Sequence, residues 1–391
     1  MARAVALLSG GLDSSLAILA VIKQGVEVDA IRFVTPFDID IPDSTSDLYS
    51  ASKLTAHTLS FPLVGNLSLK KDVGQADMTD CKSLSDHAQI FLPSCIKDSF
   101  HAARRFCSHI EIHHLGNKFL EIVKNPPHGY GKNMNPCIDC RIIMLKEAKL
   151  YMDKTGADFI VTGEVLGQRP MSQRRDTFCL IDREAGVTDY VLRPLSAKLL
   201  KITFPEMNGI INREMLYDFS GRSRKPQIAL AKELGLTDYP APAGGCLLTE
   251  PNYSYRLKDL LTYNPAPEIR DIYLLKIGRH FRFSSACKIV VGRDRTENEI
   301  IEALSVNGDC LLKVEGYGSP TTLLTGEITD GAIKVAVSLC ARYSDAKNLS
   351  EVESIVINGD NIFRLLVSPA GNETVKALRI EKMRPGKIAK A

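Results

Sequence analysis

No part of the sequence has the long apolar run that a membrane-spanning helix requires. Such a helix needs roughly 18 or more consecutive apolar residues, and the 391-residue chain contains no such stretch. The sequence also lacks the apolar core of a secretion signal, because the run that follows Arg3 extends only from Ala4 to Leu8. These absences argue against a membrane role and against secretion, and we expect a cytoplasmic protein.

The chain also lacks a strong excess of charge. Its 49 basic and 46 acidic residues give a net charge of +3, so only the distribution of charge can indicate a partner. The ten cysteines should be reduced in the cytoplasm, where a close cysteine pair more often binds a metal or takes part in catalysis than forms a disulfide. The length predicts two or three domains.

The N-terminal part has the pattern of a parallel α/β sheet. An apolar strand at 4–8 is followed by a glycine turn, a helix from about residue 14 to 23, and a second strand at 28–34. Short links between strand, helix and strand require a crossover connection. We therefore predict a doubly wound parallel sheet, whose ligands bind beyond the carboxyl ends of the strands.

Further elements continue this pattern up to a predicted domain boundary near residue 250. A helix at 141–155 ends at Gly156, and a buried strand follows at 158–162. We assign 1–250 to the α/β domain and treat 38–100 as an atypical insert without an assigned function. The remainder, 251–391, has short strands and turn residues, which predict a smaller α+β or β-rich domain.

A glycine-rich loop lies directly between the first strand and the first helix. It reads Ser9, Gly10, Gly11, Leu12, Asp13, Ser14, Ser15. Glycines let the backbone approach an anion closely, and the start of a helix supplies free N–H groups. Such a loop should bind phosphate, with Asp13 reaching it through Mg²⁺. The alternative is a simple helix N-cap after a tight turn.

This loop resembles the S-G-G-x-D-S-[ST] signature of the PP-loop ATP pyrophosphatases, which have an adenine nucleotide alpha hydrolase-like fold. The resemblance implies cleavage of ATP between its α and β phosphates. The family includes tRNA thiouridine synthases, asparagine and GMP synthetases and deazaguanine synthases. We add Phe33 and Gly163 to the predicted nucleotide site.

Three cysteines distinguish among the possible substrates. Cys137 and Cys140 lie just ahead of the helix predicted from Arg141, and a helix start lowers the pKa of a thiol. Cys246 follows a glycine loop that would bring it to this pair. The pair alone also fits a zinc site, with His128 or another cysteine as a further ligand. Three cysteines fit a [4Fe-4S] cluster with one open iron.

The motif N-P-C-x-x-C with a later G-G-C loop resembles the tRNA thiouridine synthases. Some of these enzymes use a persulfide on cysteine, and others hold an iron–sulfur cluster on three cysteines. The cluster version is preferred because Cys137, Cys140 and Cys246 are all present. The stretches T-G-E-V-L-G-Q-R-P-M-S-Q at 162–173 and R-P-L-S-A-K at 193–198 resemble a bacterial group of PP-loop thiouridylase-like proteins.

The resemblance implies a tRNA sulfurtransferase that makes 2-thiouridine or 4-thiouridine. ATP adenylates the uracil carbonyl, and sulfur then replaces oxygen; Asp13 and the three cysteines are the predicted catalytic residues. Lys132, Arg169 and Lys198 are candidates for phosphate contacts. The sulfur donor would be a cysteine desulfurase, sulfide or a carrier protein. Two alternatives stay open, a PP-loop synthetase that aminates a small molecule with zinc on the cysteine pair, and an ATP-regulated RNA- or ribosome-binding factor.

The C-terminal part carries a basic stretch that suits an RNA partner. Between 276 and 295 the basic residues are Lys276, Arg279, His280, Arg282, Lys288, Arg293 and Arg295, with Phe281 and Phe283 among them. The runs K-I-G-R-H-F-R-F and V-G-R-D-R-T-E-N-E resemble the NFACT-R RNA-binding domain. A solvated strand edge is the alternative. The basic tail also favours an anionic partner, which we take to be tRNA.

A histidine group offers a second, less complete metal site. Its members are His101, His109, His113 and His114. His109 and His113 would share one face if this segment were helical, although no carboxylate or cysteine completes the set.

Overall fold

The chain forms two compact units in the computed structural model. The model describes residues 1–38, the strand at 59–61, residues 106–237 and 239, and residues 246–381. The first unit comprises Met1–Thr35, Thr55–Gly131 and Pro136–Gly245, and the second comprises Pro36–Leu54, Lys132–Asn135 and Cys246–Ala391. Most of the predicted insert, His101, the loop at 240–245 and the tail beyond 381 lie outside the described residues.

A six-stranded sheet forms the centre of the first unit. Its strands are β1 (Arg3–Leu7), β2 (Glu27–Val34), β3 (Leu59–Phe61), β4 (His109–His114), β5 (Phe159–Thr162) and β6 (Val191–Leu192). Their order is β3-β4-β2-β1-β5-β6. All neighbouring pairs are parallel except β3 with β4, which is an antiparallel edge pair. The chain leaves β1 toward β2 on one side and later returns to β5 on the other, which creates a switch point beside β1.

Helices pack around this sheet. They are α1 (Leu12–Ile22), α2 (Gly116–Lys124), α3 (Cys137–Thr155), α4 (Arg175–Ala185), α5 (Phe204–Met207) and α6 (Lys225–Glu233). Ala4 and Ala6 of β1 belong to the core that α1 and α6 cover with Leu16 and Leu230. Helix α3 packs on β1 and β5 and against α4. The predicted doubly wound α/β architecture is thereby confirmed.

Two local expectations differ from the structure. Helix α3 begins at Cys137, so the cysteine pair forms its first turn and does not precede it. The N-cap is Pro136, which makes no side-chain capping bond, so the usual sequence signal for a helix start is missing. The helical face predicted for His109 and His113 is also wrong, because both lie on β4. Gly156 ends α3 with a φ of 69°, as predicted.

The second unit is built on an antiparallel sheet. Its strands are β7 (Arg279–Ser284), β8 (Cys287–Val291), β9 (Cys310–Val314), β10 (Thr322–Gly326), β11 (Val352–Asn358) and β12 (Asn361–Val367), in the order β12-β11-β9-β10-β8-β7. The helices are α7 (Pro251–Tyr263), α8 (Ile269–Leu274), α9 (Arg295–Leu304), α10 (Asp330–Arg342) and α11 (Asn372–Leu378). Helix α10 packs on β8, β9, β10, β11 and β12, and its Ala336 lies in a core with Phe281 and Leu312. This confirms the predicted smaller α+β domain.

Short 3₁₀ turns complete the two units, at Ala197–Leu199, Arg213–Met215 and Leu247–Thr249. Among the residues that the model describes, none of the helices is both long and apolar enough to cross a membrane.

Candidate active site

The glycine-rich loop joins β1 to α1 and is held by its own hydroxyl groups. Ser14 Oγ donates to the Gly11 carbonyl at 2.8 Å and accepts from Ser9 Oγ at 3.0 Å. Gly10 has a φ of 76°, a conformation that glycine adopts without strain. Ser15 Oγ lies 3.4 Å from the same Gly11 carbonyl. The loop therefore forms a fixed turn that leads directly into the first N–H groups of α1.

The end of β5 lies against this loop. A Cβ atom on Gly163 would lie 2.5 Å from the Ser14 backbone nitrogen and 2.6 Å from the Asp13 carbonyl carbon. Both neighbours are backbone atoms that cannot rotate away. Glycine at this position is thus what allows the carboxyl ends of β1 and β5 to come together beside the loop.

A pocket opens between the loop and the chain that follows β5. It is lined by Leu7, Ser9, Asp13, Ser14, Arg141, Thr162, Gly163, Glu164, Gln168, Arg169 and Gln173. Asp13 Oδ2 accepts a hydrogen bond from Gln168 Nε2 at 3.0 Å, while Asp13 Oδ1 is buried without a hydrogen-bond partner. An unpartnered carboxylate oxygen in a phosphate-sized pocket is a suitable ligand for a divalent cation.

Phe33, which we had added to the nucleotide site, is not among the residues that line this pocket. It lies on β2 with its ring 5.6 Å from the His113 ring in an edge-to-face contact. Of the three predicted phosphate-binding cations, Arg169 lines the pocket. Lys198 Nζ donates to the Glu214 carbonyl at 2.8 Å, and Lys132 belongs to the second unit.

Arg141 also lines the pocket and is a functional candidate that the sequence motifs do not indicate. Its Nε lies 3.4 Å from Glu164 Oε1, an ion pair whose geometry falls short of a hydrogen bond. One feature of the sequence could have indicated this role, because Arg141 directly follows Cys140. Side chains on these first turns of α3 lie near the carboxyl ends of the strands. Arg141 and Arg169 make the pocket suitable for an anion.

A buried ionic network holds Glu164 in place. Arg193 Nε donates to Glu164 Oε2 at 3.1 Å, and its two other nitrogens donate to Asp182 at 2.9 and 2.7 Å. The Arg193 guanidinium also stacks 4.0 Å over the Phe178 ring. Burial disfavours the charge on Arg193, yet the two carboxylates outweigh this and raise its pKa. Arg193 therefore stays charged and fixes the acid that pairs with Arg141.

Cys137 and Cys140 are one helical turn apart on α3 and so share a face. The position of Cys137 does not by itself favour the expected thiolate. Burial raises the Cys137 pKa and outweighs the opposing charges of Arg169 and Arg141 and its own backbone hydrogen bond. The two arginines that line the pocket thus oppose the effect of burial on the Cys137 thiol.

Cys246 belongs to the second unit, where it is the N-cap of the turn Leu247–Thr249. Its carbonyl accepts from Thr249 Oγ1 at 2.7 Å. Among the described residues, no group of three or more histidine, cysteine or acidic side chains is close enough to hold a metal ion. Of the other cysteines, Cys107, Cys287, Cys310 and Cys340 are buried and Cys179 is exposed.

His128, the possible additional zinc ligand, is already engaged. Its Nδ1 lies 2.7 Å from Asp139 Oδ1 and its Nε2 lies 3.2 Å from Glu184 Oε1. The hydrogen bond with Asp139 raises the His128 pKa, which favours the charged ring that cannot bind zinc. In the other histidine group, His113 Nε2 lies 3.1 Å from Glu111 Oε1.

Much of the basic stretch at 276–295 is used inside the second unit. Phe281 is fully buried, and His280 and Lys288 are buried. Burial lowers the pKa of His280 well below its ordinary value and lowers that of Lys288 to about 7. Arg282 forms a two-pronged ion pair with Asp259. The basic and aromatic residues of this stretch are therefore not all available at the surface; Arg279 is one of the charges that stay partly exposed.

Two family models match parts of the chain. Residues 278–379 match the NFACT protein RNA binding domain, and residues 1–44 match the thiamine biosynthesis protein ThiI. No curated protein matches the chain.

Two solved structures share limited similarity with it. One is the C-terminal part of the fibronectin/fibrinogen-binding protein from Streptococcus suis, with 16% identity, 40% of this chain and 76% of that chain covered, and a TM-score of 0.25. The other is a 4-thiouridine synthetase in complex with RNA and bound ATP. The identity is 18%, the match covers 60% of this chain and 52% of that chain, and the TM-score is 0.28. This chain thus spans about half the length of the synthetase, and TM-scores of this size do not establish a common fold.

The family matches agree with the resemblance inferred from the sequence. The chain is similar to the ThiI family over residues 1–44, which contain the nucleotide loop, and to the NFACT RNA-binding family over residues 278–379.

Proposed function

We propose that the protein is an ATP-dependent tRNA uridine thiolase, which adenylates a uracil carbonyl oxygen and replaces it with sulfur. One observation carries this proposal. Arg141 and Arg169 line the pocket beside Asp13, and the same two charges act on Cys137. Two cations shared by a nucleotide pocket and a cysteine support a reaction in which sulfur is delivered to an adenylated oxygen position.

ATP would place its phosphates on the loop from Ser9 to Ser15, where α1 begins. The buried and unpartnered Oδ1 of Asp13 fits a Mg²⁺ ion that bridges to the phosphates. Arg141 and Arg169 would neutralise the charge that develops on the α-phosphate and on the leaving group. The Glu164 carboxylate keeps Arg141 directed into the pocket.

The proposed reaction has two steps, and each conserves atoms and electrons. The uracil carbonyl oxygen attacks the α-phosphorus, and the bond to the β-phosphate breaks to release pyrophosphate. Sulfide from a donor then attacks the activated ring carbon, and the carbon–oxygen bond breaks to release AMP. The uracil oxygen leaves in AMP, and the ring keeps sulfur in its place without any net oxidation or reduction.

We propose Cys137, Cys140 and Cys246 as the residues that would hold a [4Fe-4S] cluster, although among the described residues no three such side chains lie close enough to bind a metal in this structure. Thiolates are the preferred ligands of such clusters, and the spacing of Cys137 and Cys140 places two of them on one helical face. Such a cluster, if bound by these three thiolates, would leave one iron open and would supply a site for sulfide. Arg141 and Arg169 favour the deprotonated form of Cys137 that ligation needs. The donor would be a cysteine desulfurase, sulfide or a carrier protein.

The substrate would be tRNA. The similarity of 278–379 to an RNA-binding family supports an RNA substrate, and the ThiI similarity of the nucleotide loop supports its thiolation. Both activities would then belong to one polypeptide, with the nucleotide loop in the first unit and the RNA-binding similarity in the second.

The test is a reaction of the whole chain, purified without oxygen, with tRNA, ATP and sulfide. We expect release of AMP and pyrophosphate that depends on tRNA, together with thiouridine in the digested nucleosides. Asp13→Ala should abolish both products, whereas Cys137→Ala should abolish thiouridine and leave pyrophosphate release measurable. The exposed Cys179 on α4 gives a matched control, because Cys179→Ala should retain both. Absence of thiouridine from the wild-type reaction, or full thiouridine yield from Cys137→Ala, contradicts the proposal.

A further inference from the structure

Arg279, the first residue of β7, is held in an unusual way on the second unit. Its guanidinium Cζ lies 4.4 Å above the Tyr343 ring, and its Nη1 donates to the Gly292 carbonyl at 2.9 Å. It forms no ion pair with the acidic side chains of the described part of the chain. A guanidinium fixed on one face by a ring keeps its other N–H groups available in a set direction.

Two further arginines lie around it. Arg293 directly follows Gly292 at the end of β8, and Arg379 forms an isolated bridge to Phe281 of β7. Each of these has its own acid: Arg293 pairs with Glu297, and Arg379 Nη2 lies 2.6 Å from Glu381 Oε1. The Asp294 carboxylate also acts on Arg293. Of the three guanidiniums, Arg279 is the one for which the described residues provide no ion pair.

The pKa of Arg279 reflects the two neighbouring arginines and the lack of an ion pair. Burial lowers its pKa, and the nearby charges of Arg293 and Arg379 lower it further, against the opposite effects of Tyr343 and Glu297. Arg279 remains charged at neutral pH, since the ordinary pKa of an arginine lies far above neutrality. A like-charged cluster of this kind is stabilised when an anion binds to it.

We propose that Arg279, supported by Tyr343 and flanked by Arg293 and Arg379, binds a backbone phosphate of the RNA substrate. This inference rests on the proposed function for the identity of the RNA. A phosphate offers the planar pairs of oxygen atoms that a fixed guanidinium matches with two hydrogen bonds. The site defined by these four residues is called the arginine cluster below.

Position and charge favour RNA over a single small anion. Every member of the cluster lies between 279 and 379, inside the stretch that is similar to an RNA-binding family. Of the other basic residues of the stretch at 276–295, His280 and Lys288 are buried and Arg282 is neutralised by Asp259. Arg295 is exposed but pairs with Glu299, so the arginine cluster is where an arginine without an ion pair to the described residues is available to an RNA backbone.

The test compares Arg279→Ala with Arg364→Ala in the full chain. Arg364 is an exposed arginine of β12 that pairs with Glu315 at 2.6 Å, so both variants remove one guanidinium. Binding of an unmodified tRNA transcript is measured from low to moderate salt. Loss of one phosphate contact should weaken binding about tenfold at low salt and reduce the slope of log affinity against log salt by about 0.7 to 0.9. Arg364→Ala should leave both quantities unchanged.

Arg279→Lys and Tyr343→Leu refine the result. Lysine keeps the charge but not the two-pronged geometry, and leucine removes the supporting ring, so both should give intermediate losses. Thermal unfolding of each variant shows whether the second unit remains folded. Wild-type affinity and slope in a folded Arg279→Ala overturn the arginine cluster even if thiolation is intact, whereas tRNA binding without thiolation in the wild type rejects the proposed function and not the cluster.

Discussion

Arg141 Nε lies 3.4 Å from Glu164 Oε1, and this contact connects the first turns of α3 to the carboxyl end of β5. Glu164 is itself held by Arg193, which is fully inside the protein and paired a second time with Asp182. Arg141, which follows the cysteine pair, is thus positioned by a network of buried charged side chains. Because the pocket, the cysteine helix and this network share Arg141, a change at Glu164 should alter the placement of Arg141 in the pocket.

Glu164→Gln tests this positioning role. Glutamine keeps the shape of the side chain but removes the charge, so Arg141 loses its carboxylate partner and Arg193 keeps Asp182. We expect the KM for ATP to rise about tenfold, which corresponds to about 1.4 kcal/mol, in tRNA-dependent pyrophosphate release. Glu147→Gln is the control, because Glu147 lies on α3, the helix that carries Arg141, and pairs with the exposed Lys118. Equal KM values in the two variants would rule out the role of Glu164.

Gly163→Ala tests the close approach between β5 and the nucleotide loop. The new methyl group would meet the Ser14 nitrogen at 2.5 Å, so the loop or the strand must shift. We expect a loss of about 1–3 kcal/mol in the free energy of unfolding and loss of ATP binding in calorimetry. Gly371→Ala is the matched control, since a Cβ there has nothing within 4 Å and its φ of −72° suits alanine. A Gly163→Ala variant that is stable and binds ATP would contradict the close contact between Gly163 and the nucleotide loop.

The nucleotide loop was predictable because its information is local. Glycines, hydroxyl residues and a helix start within seven positions are sufficient to define it. The start of α3 was not, because Pro136 caps it without a side-chain bond. Strand β4 was misread from the spacing of His109 and His113, although Ile110 and Ile112 between them alternate as in a strand and are both buried.

Burial of charge was the least predictable property. Arg193 was noticed only as part of a motif, and its role depends on Asp182 and Glu164, which are 11 and 29 residues away. Arg282 looked available for RNA, but Asp259 of α7 neutralises it. Partners of this kind are fixed by tertiary packing, which a single sequence does not encode in any nearby pattern.

Alkylation of Cys137 should respond to the charge of Arg169. Burial raises the Cys137 pKa, and Arg169 is the largest opposing influence. Replacing Arg169 with alanine should therefore raise this pKa further and slow iodoacetamide modification at pH near 8 several-fold, because only the thiolate reacts. Modification of each cysteine is followed by peptide mass spectrometry in the metal-free protein. Cys179 serves as the internal reference, and equal slowing at Cys179 would show that the effect is not specific to Cys137.

Anaerobic purification tests the cluster. The proposed ligands predict a brown protein with about four iron and four sulfide per chain. Cys246→Ala should lose most of this iron, whereas Cys179→Ala should retain it. Zinc in a colourless wild-type protein would reject the cluster, and sulfur transfer without bound metal would indicate persulfide chemistry on the same cysteines.

The ion pair of His128 with Asp139 predicts a pH dependence of stability in the first unit. The hydrogen bond with Asp139 raises the folded-state pKa of His128 above its value of about 6.5 in the unfolded chain. The folded state thus holds the proton more tightly, so the stabilisation is fully present below pH 6.5 or so and is lost as the pH rises through the higher folded value. His128→Gln lacks this contribution, and the difference in unfolding free energy between wild type and variant should shrink steadily from about pH 6 to pH 9.

The comparison must be made as a difference because His280 acts in the opposite direction. Burial lowers the His280 pKa well below its ordinary value, so this residue destabilises the fold as the pH falls through about 6.5. His280 is present in both proteins and its contribution cancels. Glu184, the second partner of His128 at 3.2 Å, provides the control: Glu184→Gln should reduce the pH-dependent difference only in part, since Asp139 makes the larger contribution. A difference that stays constant across this pH range would show that the His128–Asp139 contact does not hold a proton.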